Sequence, residues 1–186
     1  MMRIGIFGGT FNPIHYGHLL LAETARETLT LDRVVFIPTY QPPHKTTKSL
    51  LSGQTRLELI RCAIHNHSSF VASEIELERK GTSYTIETVK SLRTQLPQAK
   101  LFLLIGEDML AVRWASWKEL KQLCTVVAAR RPGAKPRRES GIKWLEMPQT
   151  AMSSSDIRAR LKAGKSIRYL VPSAVERYIR HHQLYQ

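Results

Sequence analysis

Four short, unbroken apolar runs constrain this chain more than any other feature: RIGIF at 3–7, VVFIP at 34–38, LFLLI at 101–105 and TVVAA at 125–129. Each has strand length, and none alternates strictly enough to keep one face in water. Between the runs lie segments with helical periodicity at 15–29, 52–65, 84–96 and 117–123. Leu57, Ile60 and Ile64 share one face of the second of these, and Ile86, Val89 and Leu92 follow three-residue steps in the third. Residues 70–77 alternate loosely and predict a further strand, as does 144–147. Strands alternating with helices predict an α/β fold, with a parallel sheet covered on both faces.

Two helix starts follow near the end of the sequence. Ser153-Ser154-Ser155-Asp156 and Ser173-Ala174-Val175-Glu176 both fit a capping box, and Gly164 is placed to stop the first helix. Segments 39–52 and 130–141, rich in Pro, Gly and charge, read as long loops. The 186 residues suit a single domain, with a core over 1–150 and a short helical extension over 151–186. No apolar run approaches the ~20 residues that span a bilayer, so no membrane partner is expected. Two cysteines, Cys62 and Cys124, cannot build a disulfide framework and read as reduced core residues of a cytoplasmic protein.

The chain carries 28 Lys and Arg against 15 Asp and Glu, a formal charge of +13. Such a balance attracts phosphate, whether on nucleic acid or on small ligands. The excess lies in the second half, with six basic residues between 130 and 143. That stretch lacks interleaved aromatics, and no helix-turn-helix, zinc or RNA-binding signature accompanies it. A nucleic-acid-binding module is therefore the rival class, and nucleic acid is not the expected partner.

The densest chemical signal is Gly8-Gly9-Thr10-Phe11-Asn12-Pro13-Ile14-His15-Tyr16-Gly17-His18, which joins the first strand to the first helix. Adjacent glycines allow a tight turn and close approach of backbone to ligand. The helix N-terminus that follows offers N–H groups and a positive dipole end to an anion. His15 and His18, three residues apart, share a face of the first turn. As a metal pair they lack a third ligand nearby in sequence. The dinucleotide fingerprint is not met, because the glycines read Gly5, Gly8 and Gly9 and no acid ends the second strand. Gly164-Lys165-Ser166 matches only the tail of a Walker loop, since Ala159 occupies the first glycine's place.

These residues resemble the signature of the nucleotidyltransferase superfamily, whose core is H-x-G-H. Met152-Ser153-Ser154-Ser155-Asp156-Ile157-Arg158 is similar to its second signature, I-S-S-T-x-I-R. Pro42-Pro43-His44-Lys45, Thr82-x-x-Thr85-x-x-Thr88, Gly106-x-Asp108, Trp117, Arg130-Arg131-Pro132-Gly133, Tyr169-Leu170-Val171-Pro172 and His182-Gln183-Leu184-Tyr185 stand in the order seen in the bacterial nicotinate-mononucleotide adenylyltransferase family. The resemblance covers essentially the whole chain. Asn12 stands where Asp is commoner, Ser155 replaces Thr, Met152 replaces Ile, and Glu107 adds an acid of unassigned role.

The resemblance implies a Rossmann-like, doubly wound parallel sheet, with the ligand where the loop of the first strand faces that of the fourth. It implies ATP and nicotinate mononucleotide as substrates, with Mg²⁺ bound mainly through the ATP phosphates. Catalysis would then be positioning plus charge stabilisation. Gly8, Gly9, Thr10 and Phe11 would line the ATP site, with Gly106 and Asp108 on the adenosine. His15 and His18 would contact phosphates, with His18 at the α-phosphoryl group. Lys45 would bridge the phosphates of both substrates, and Ser154, Ser155 and Arg158 would hold the leaving β/γ-phosphates. Asn12, Lys45, Thr85, Trp117 and Arg131 would face nicotinate mononucleotide, with Trp117 stacking on its ring. Nicotinamide mononucleotide and phosphopantetheine remain rival second substrates, and the sequence leaves open a homo-oligomer.

Overall fold

Strand β1 (Arg3–Gly9) is the pivot of the architecture, because its two neighbours lie far apart in sequence. On one side it pairs with β2 (Arg33–Pro38), Ile6 opposite Val35; on the other with β4 (Lys100–Gly106), Ile4 opposite Leu101. Adding β3 (Phe70–Ala72), β5 (Thr125–Ala129) and β6 (Ile142–Leu145) gives an all-parallel sheet in the order β3-β2-β1-β4-β5-β6. The helices are α1 (Tyr16–Thr28), α2 (Gly53–Ile64), α3 (Ile75–Arg79), α4 (Thr85–Gln95), α5 (Trp117–Leu123), α6 (Ser154–Lys162) and α7 (Ser173–His181), with a 3₁₀ turn at Glu107–Ala111. This computed structural model describes residues 1–43, 50–112, 114–130, 139–148 and 150–186.

Side-chain alternation explains why the central strands are apolar throughout. In β4, Phe102 and Leu104 enter a layer with Leu21 of α1, Leu59 of α2 and Ile179 of α7. Leu101, Leu103 and Ile105 enter the opposite layer with Ile86 and Val89 of α4 and Leu120 of α5. Both faces are covered, and each such side chain contributes about 1.5–3 kcal/mol by leaving water. Ile157, Ile167, Val171 and Val175 from the last third of the chain join the first layer. Gly164 (φ +64) closes α6 as expected, its N–H donating to Leu161 and that of Lys165 to Arg160.

Three local expectations change. The strand expected over 70–77 ends at Ala72, and Ile75–Arg79 winds into α3. Ser73 N–H makes a last bond to Phe36 (2.9 Å), after which a helical turn buries Glu76 instead of continuing the ladder. The last strand begins two residues earlier than expected, at Ile142. The second capping box is not formed. Pro172 occupies the N-cap with no side-chain bond, and Ser173 is already the first helical residue.

Candidate active site

At the carboxyl ends of β1 and β4 the flanking segments part around a cleft of about 250 Å³. This is the crevice a doubly wound sheet opens where its strand order reverses. Gly8, Gly9, Thr10, Phe11, His15, His18, Thr85, Gly106 and Asp108 all line it.

Gly8 and Gly9 are the last residues of β1 rather than a turn. The left-handed residue is Phe11 (φ +45), followed by a cis Asn12-Pro13 peptide. The glycines serve closeness instead. A methyl at Gly8 would meet nothing within 4 Å, so the strand presents bare backbone. At Gly9 a methyl would press on the Phe11 ring at 3.1 Å.

His15 caps α1 in extended geometry (φ −148, ψ 171), and its N–H donates to Nδ1 of His18 (3.3 Å). An Nδ1 that accepts fixes the neutral ring's proton on Nε2, making that nitrogen the donor. The two rings lie 3.8 Å apart, and Phe11 closes on His18 from another side with ring centres 5.0 Å apart. His15 is buried and His18 half-buried.

The N-terminus of α6 meets the same loop. Ser153 caps it, accepting from Asp156 N–H (3.1 Å). Ser154 Oγ donates to the Pro13 carbonyl (2.8 Å), and Arg158 donates to the Asn12 carbonyl (2.8 Å). Ser155 Oγ accepts a longer bond from Arg158 (3.4 Å). Ser154 and Arg158 thus fasten the N-terminus of α6 to the loop, with exposed Ser155 beside Arg158. Asn12 is buried, its side-chain oxygen accepting from Leu51 N–H (3.3 Å) and the Tyr185 hydroxyl (2.8 Å).

Two indoles stand together at the aromatic end of the cleft. Trp114 is on its wall and Trp117 is not. The two rings lie 5.3 Å apart, with Trp114 Nε1 donating to the Met109 carbonyl and Trp117 Nε1 to Glu139. Lys45 and Arg131 lie outside the described residues.

Arg56 was missed by sequence reasoning. With no solvent exposure, its guanidinium donates to the carbonyls of Leu51 (2.9 Å), Thr10 (2.9 Å) and Thr39 (2.6 Å). One side chain thereby fixes the ends of β1 and β2 and the entry to α2. Burial pulls its pKa down to about 10, which still leaves it charged at neutral pH. The signal in the sequence was a basic residue four and eight positions before Ile60 and Ile64, on the apolar face. Glu76, also on the cleft wall, accepts from Thr88 Oγ1 (2.6 Å) through one oxygen, while the other has no hydrogen-bond partner among the described residues. No group of three or more His, Cys, Asp or Glu able to hold a metal ion is found among the described residues.

A Cytidylyltransferase-like family model matches residues 6–160. A protein named "Probable nicotinate-nucleotide adenylyltransferase" from Shouchella clausii is 45% identical over 187 residues, covering 100% of this chain and 97% of the relative. One of the same name from Thermus thermophilus is 42% identical, with 100% of both chains covered. The solved structure described as "Plasmodium falciparum nicotinic acid mononucleotide adenylyltransferase complexed with NaAD" superposes with a TM-score of 0.84 at 18% identity, covering 100% of this chain and 98% of that one. At that identity it speaks for the fold: the same Rossmann-like nucleotidyltransferase architecture. Matched over most of its length by the family model, and over all of it by these relatives, the chain belongs to the cytidylyltransferase-like family of nucleotidyltransferases.

Proposed function

We propose that the chain is a nicotinate-nucleotide adenylyltransferase. It joins ATP and nicotinate mononucleotide to give nicotinate adenine dinucleotide and pyrophosphate. A 5′-phosphate oxygen of the mononucleotide attacks the α-phosphorus of ATP in line. The bond from α-phosphorus to the bridging oxygen breaks, and pyrophosphate leaves with the electron pair. The attacking phosphate is anionic at neutral pH, so the protein need supply no nucleophile or strong base.

One observation carries this reading: two helix N-termini, bearing His15 and His18 on α1 and Ser154 and Arg158 on α6, are fastened to the same loop at the end of β1. Both dipoles and all these donors suit a polyphosphate. In the proposal the bare backbone of Gly8, Gly9 and Thr10 admits the phosphates closely, and His18 Nε2 donates to the α-phosphoryl oxygen as charge develops. Arg158, Ser154 and Ser155 receive the leaving pyrophosphate; Gly106 and Asp108 hold the adenosine. Thr85 at the start of α4 faces the nicotinate end, where Trp117 stacks on the ring with Trp114 beside it. Asn12 sets the loop that the mononucleotide phosphate approaches. Lys45 and Arg131 enter on the sequence resemblance, as bridging and mononucleotide-phosphate ligands.

Mg²⁺ fits here as an ion held mainly by the ATP phosphates, which is its usual habit. When bound it neutralises charge on the transferred and leaving groups. We read residues 1–150 and 151–186 as one functional unit, because α6 and α7 pack in the first core layer. The reaction is assigned to the cytoplasm, in keeping with two free cysteines; no helix among the described residues is long and apolar enough to cross a membrane.

The test is pyrophosphate release from Mg·ATP with nicotinate and nicotinamide mononucleotides in parallel. Turnover with the acid, and about tenfold less with the amide, a difference of ~1.4 kcal/mol, supports the reading. No turnover with either sinks it.

A further inference from the structure

Tyr185 lies 173 positions from Asn12 in sequence, yet its hydroxyl reaches the Asn12 side chain at 2.8 Å. The approach is costly in backbone terms. Gln183 (φ +49) is left-handed because it closes α7, its N–H donating to Arg180 and that of Leu184 to Ile179. Tyr185 (φ +69) is left-handed again, and no cap accounts for it. A bulky residue keeps such a conformation only where surrounding contacts hold it there. Those contacts are present: Leu184 and Tyr185 both pack against the core layer that includes Phe7 and Phe11.

The electrostatic setting defines which way the bond runs. Burial pushes the Tyr185 hydroxyl pKa well up, against the pull of Arg158 and Arg56, so the phenol stays protonated. It therefore donates, and the Asn12 amide oxygen accepts from it and from Leu51 N–H together. The same residue's carbonyl accepts from Arg158, and the next carbonyl accepts from Ser154. Two residues beyond Pro13 stands His15, the cap of α1, whose N–H orients the His18 ring.

We propose that Tyr185 is a positioning residue for the transfer step: through Asn12 it sets the entry angle of α1, and hence the aim of His18 at the α-phosphorus. The inference rests on the adenylyltransferase reading for its kinetic form. Tyr185→Phe removes only the hydroxyl and keeps the ring in the core. Its expected effect is a fall in kcat of about fivefold, the size of one lost hydrogen bond. KM for Mg·ATP should stay within about twofold, since no substrate contact is removed.

The decisive experiment is a double-mutant cycle on kcat with Tyr185→Phe, Asn12→Ala and the pair. If Tyr185 acts through Asn12, the pair is no slower than Asn12→Ala alone. Losses that multiply, or a Tyr185→Phe enzyme with unchanged kcat, overturn the proposal. Amide hydrogen exchange in the empty protein supplies a second readout independent of substrate. Leu51 N–H, sharing the Asn12 acceptor with Tyr185, and the first turn of α1 should exchange faster in Tyr185→Phe, while β4 stays protected. Equal exchange at Leu51 also overturns it. If the unmodified chain releases no pyrophosphate but Leu51 still responds, the adenylyltransferase reading fails and the loop coupling stands.

Discussion

Replacing Arg56 with Met is the most informative single perturbation of this fold. The substitution keeps an unbranched apolar stem but removes the donors of three bonds, to Leu51, Thr10 and Thr39 at 2.6–2.9 Å. Hydrogen bonds to a charged group contribute about 1.5–3 kcal/mol each, so the gross loss is about 5–9 kcal/mol. Against this, methionine no longer requires a guanidinium to be stripped of water, a relief of several kcal/mol. Carbonyls at the cleft edge can also recover water. A net destabilisation of about 2–4 kcal/mol follows, which for a chain of this size lowers Tm by about 5–15 °C. Thermal unfolding followed by circular dichroism measures it. The functional signature is separate: with Thr10 and Thr39 no longer tied together, KM for Mg·ATP should rise. Arg56→Lys should recover little, because an ammonium cannot present a planar fork to three separated carbonyls. A variant melting within about 2 °C of the unmodified chain would refute the reasoning, since that is less than 1 kcal/mol.

Other consequences are equally direct. His18→Ala should lower kcat by about 10²–10³-fold in the pyrophosphate assay, the usual loss for a transition-state donor; unchanged kcat would remove His18 from the chemistry. Gly8→Ala should leave the empty protein's melting unaltered, because the new methyl meets nothing within 4 Å, yet should weaken ATP binding measured by calorimetry. Equal affinity would mean the phosphates do not pass that strand end. Cys124 is buried and its thiol is pushed up to about 11 by that burial, while half-buried Cys62 is raised more modestly. A thiol reagent at pH 8 should therefore label Cys62 slowly in the native protein and Cys124 only after denaturation. Rapid native labelling of both would contradict the packing around β5.

The parts of the fold set by burial on both sheet faces were legible in the sequence, because an unbroken apolar run of strand length is stable only where both of its faces leave water. The runs at 3–7, 34–38, 101–105 and 125–129 all became strands of one parallel sheet. Residues 70–77 were ambiguous for a physical reason: a buried Glu76 supported by Thr88 gives a polar residue an interior place, which patterning cannot anticipate. Ser173 has the chemistry of a cap, but Pro172 fills that position one residue earlier. At the site, residues adjacent in sequence to the motifs were legible, and nine of those named gathered on the cleft wall. Arg56 and Tyr185 were not, because their work is done on carbonyl and amide groups brought close only by the tertiary fold. The aromatic pair, Trp114 and Trp117, was recognisable as a pair from its three-residue spacing, and the rings do lie together, 5.3 Å apart.

The position of β1 also sets a timetable for synthesis. Its edge toward β2 can be covered as soon as residues 33–38 emerge, but its other edge waits for residues 100–106. At about 5–20 residues per second that interval is on the order of ten seconds. Throughout it, the nascent chain carries an apolar strand with an open edge, the kind of surface that templates unwanted pairing. The same central placement that opens the cleft in the finished protein thus leaves the growing chain dependent on shielding until β4 arrives.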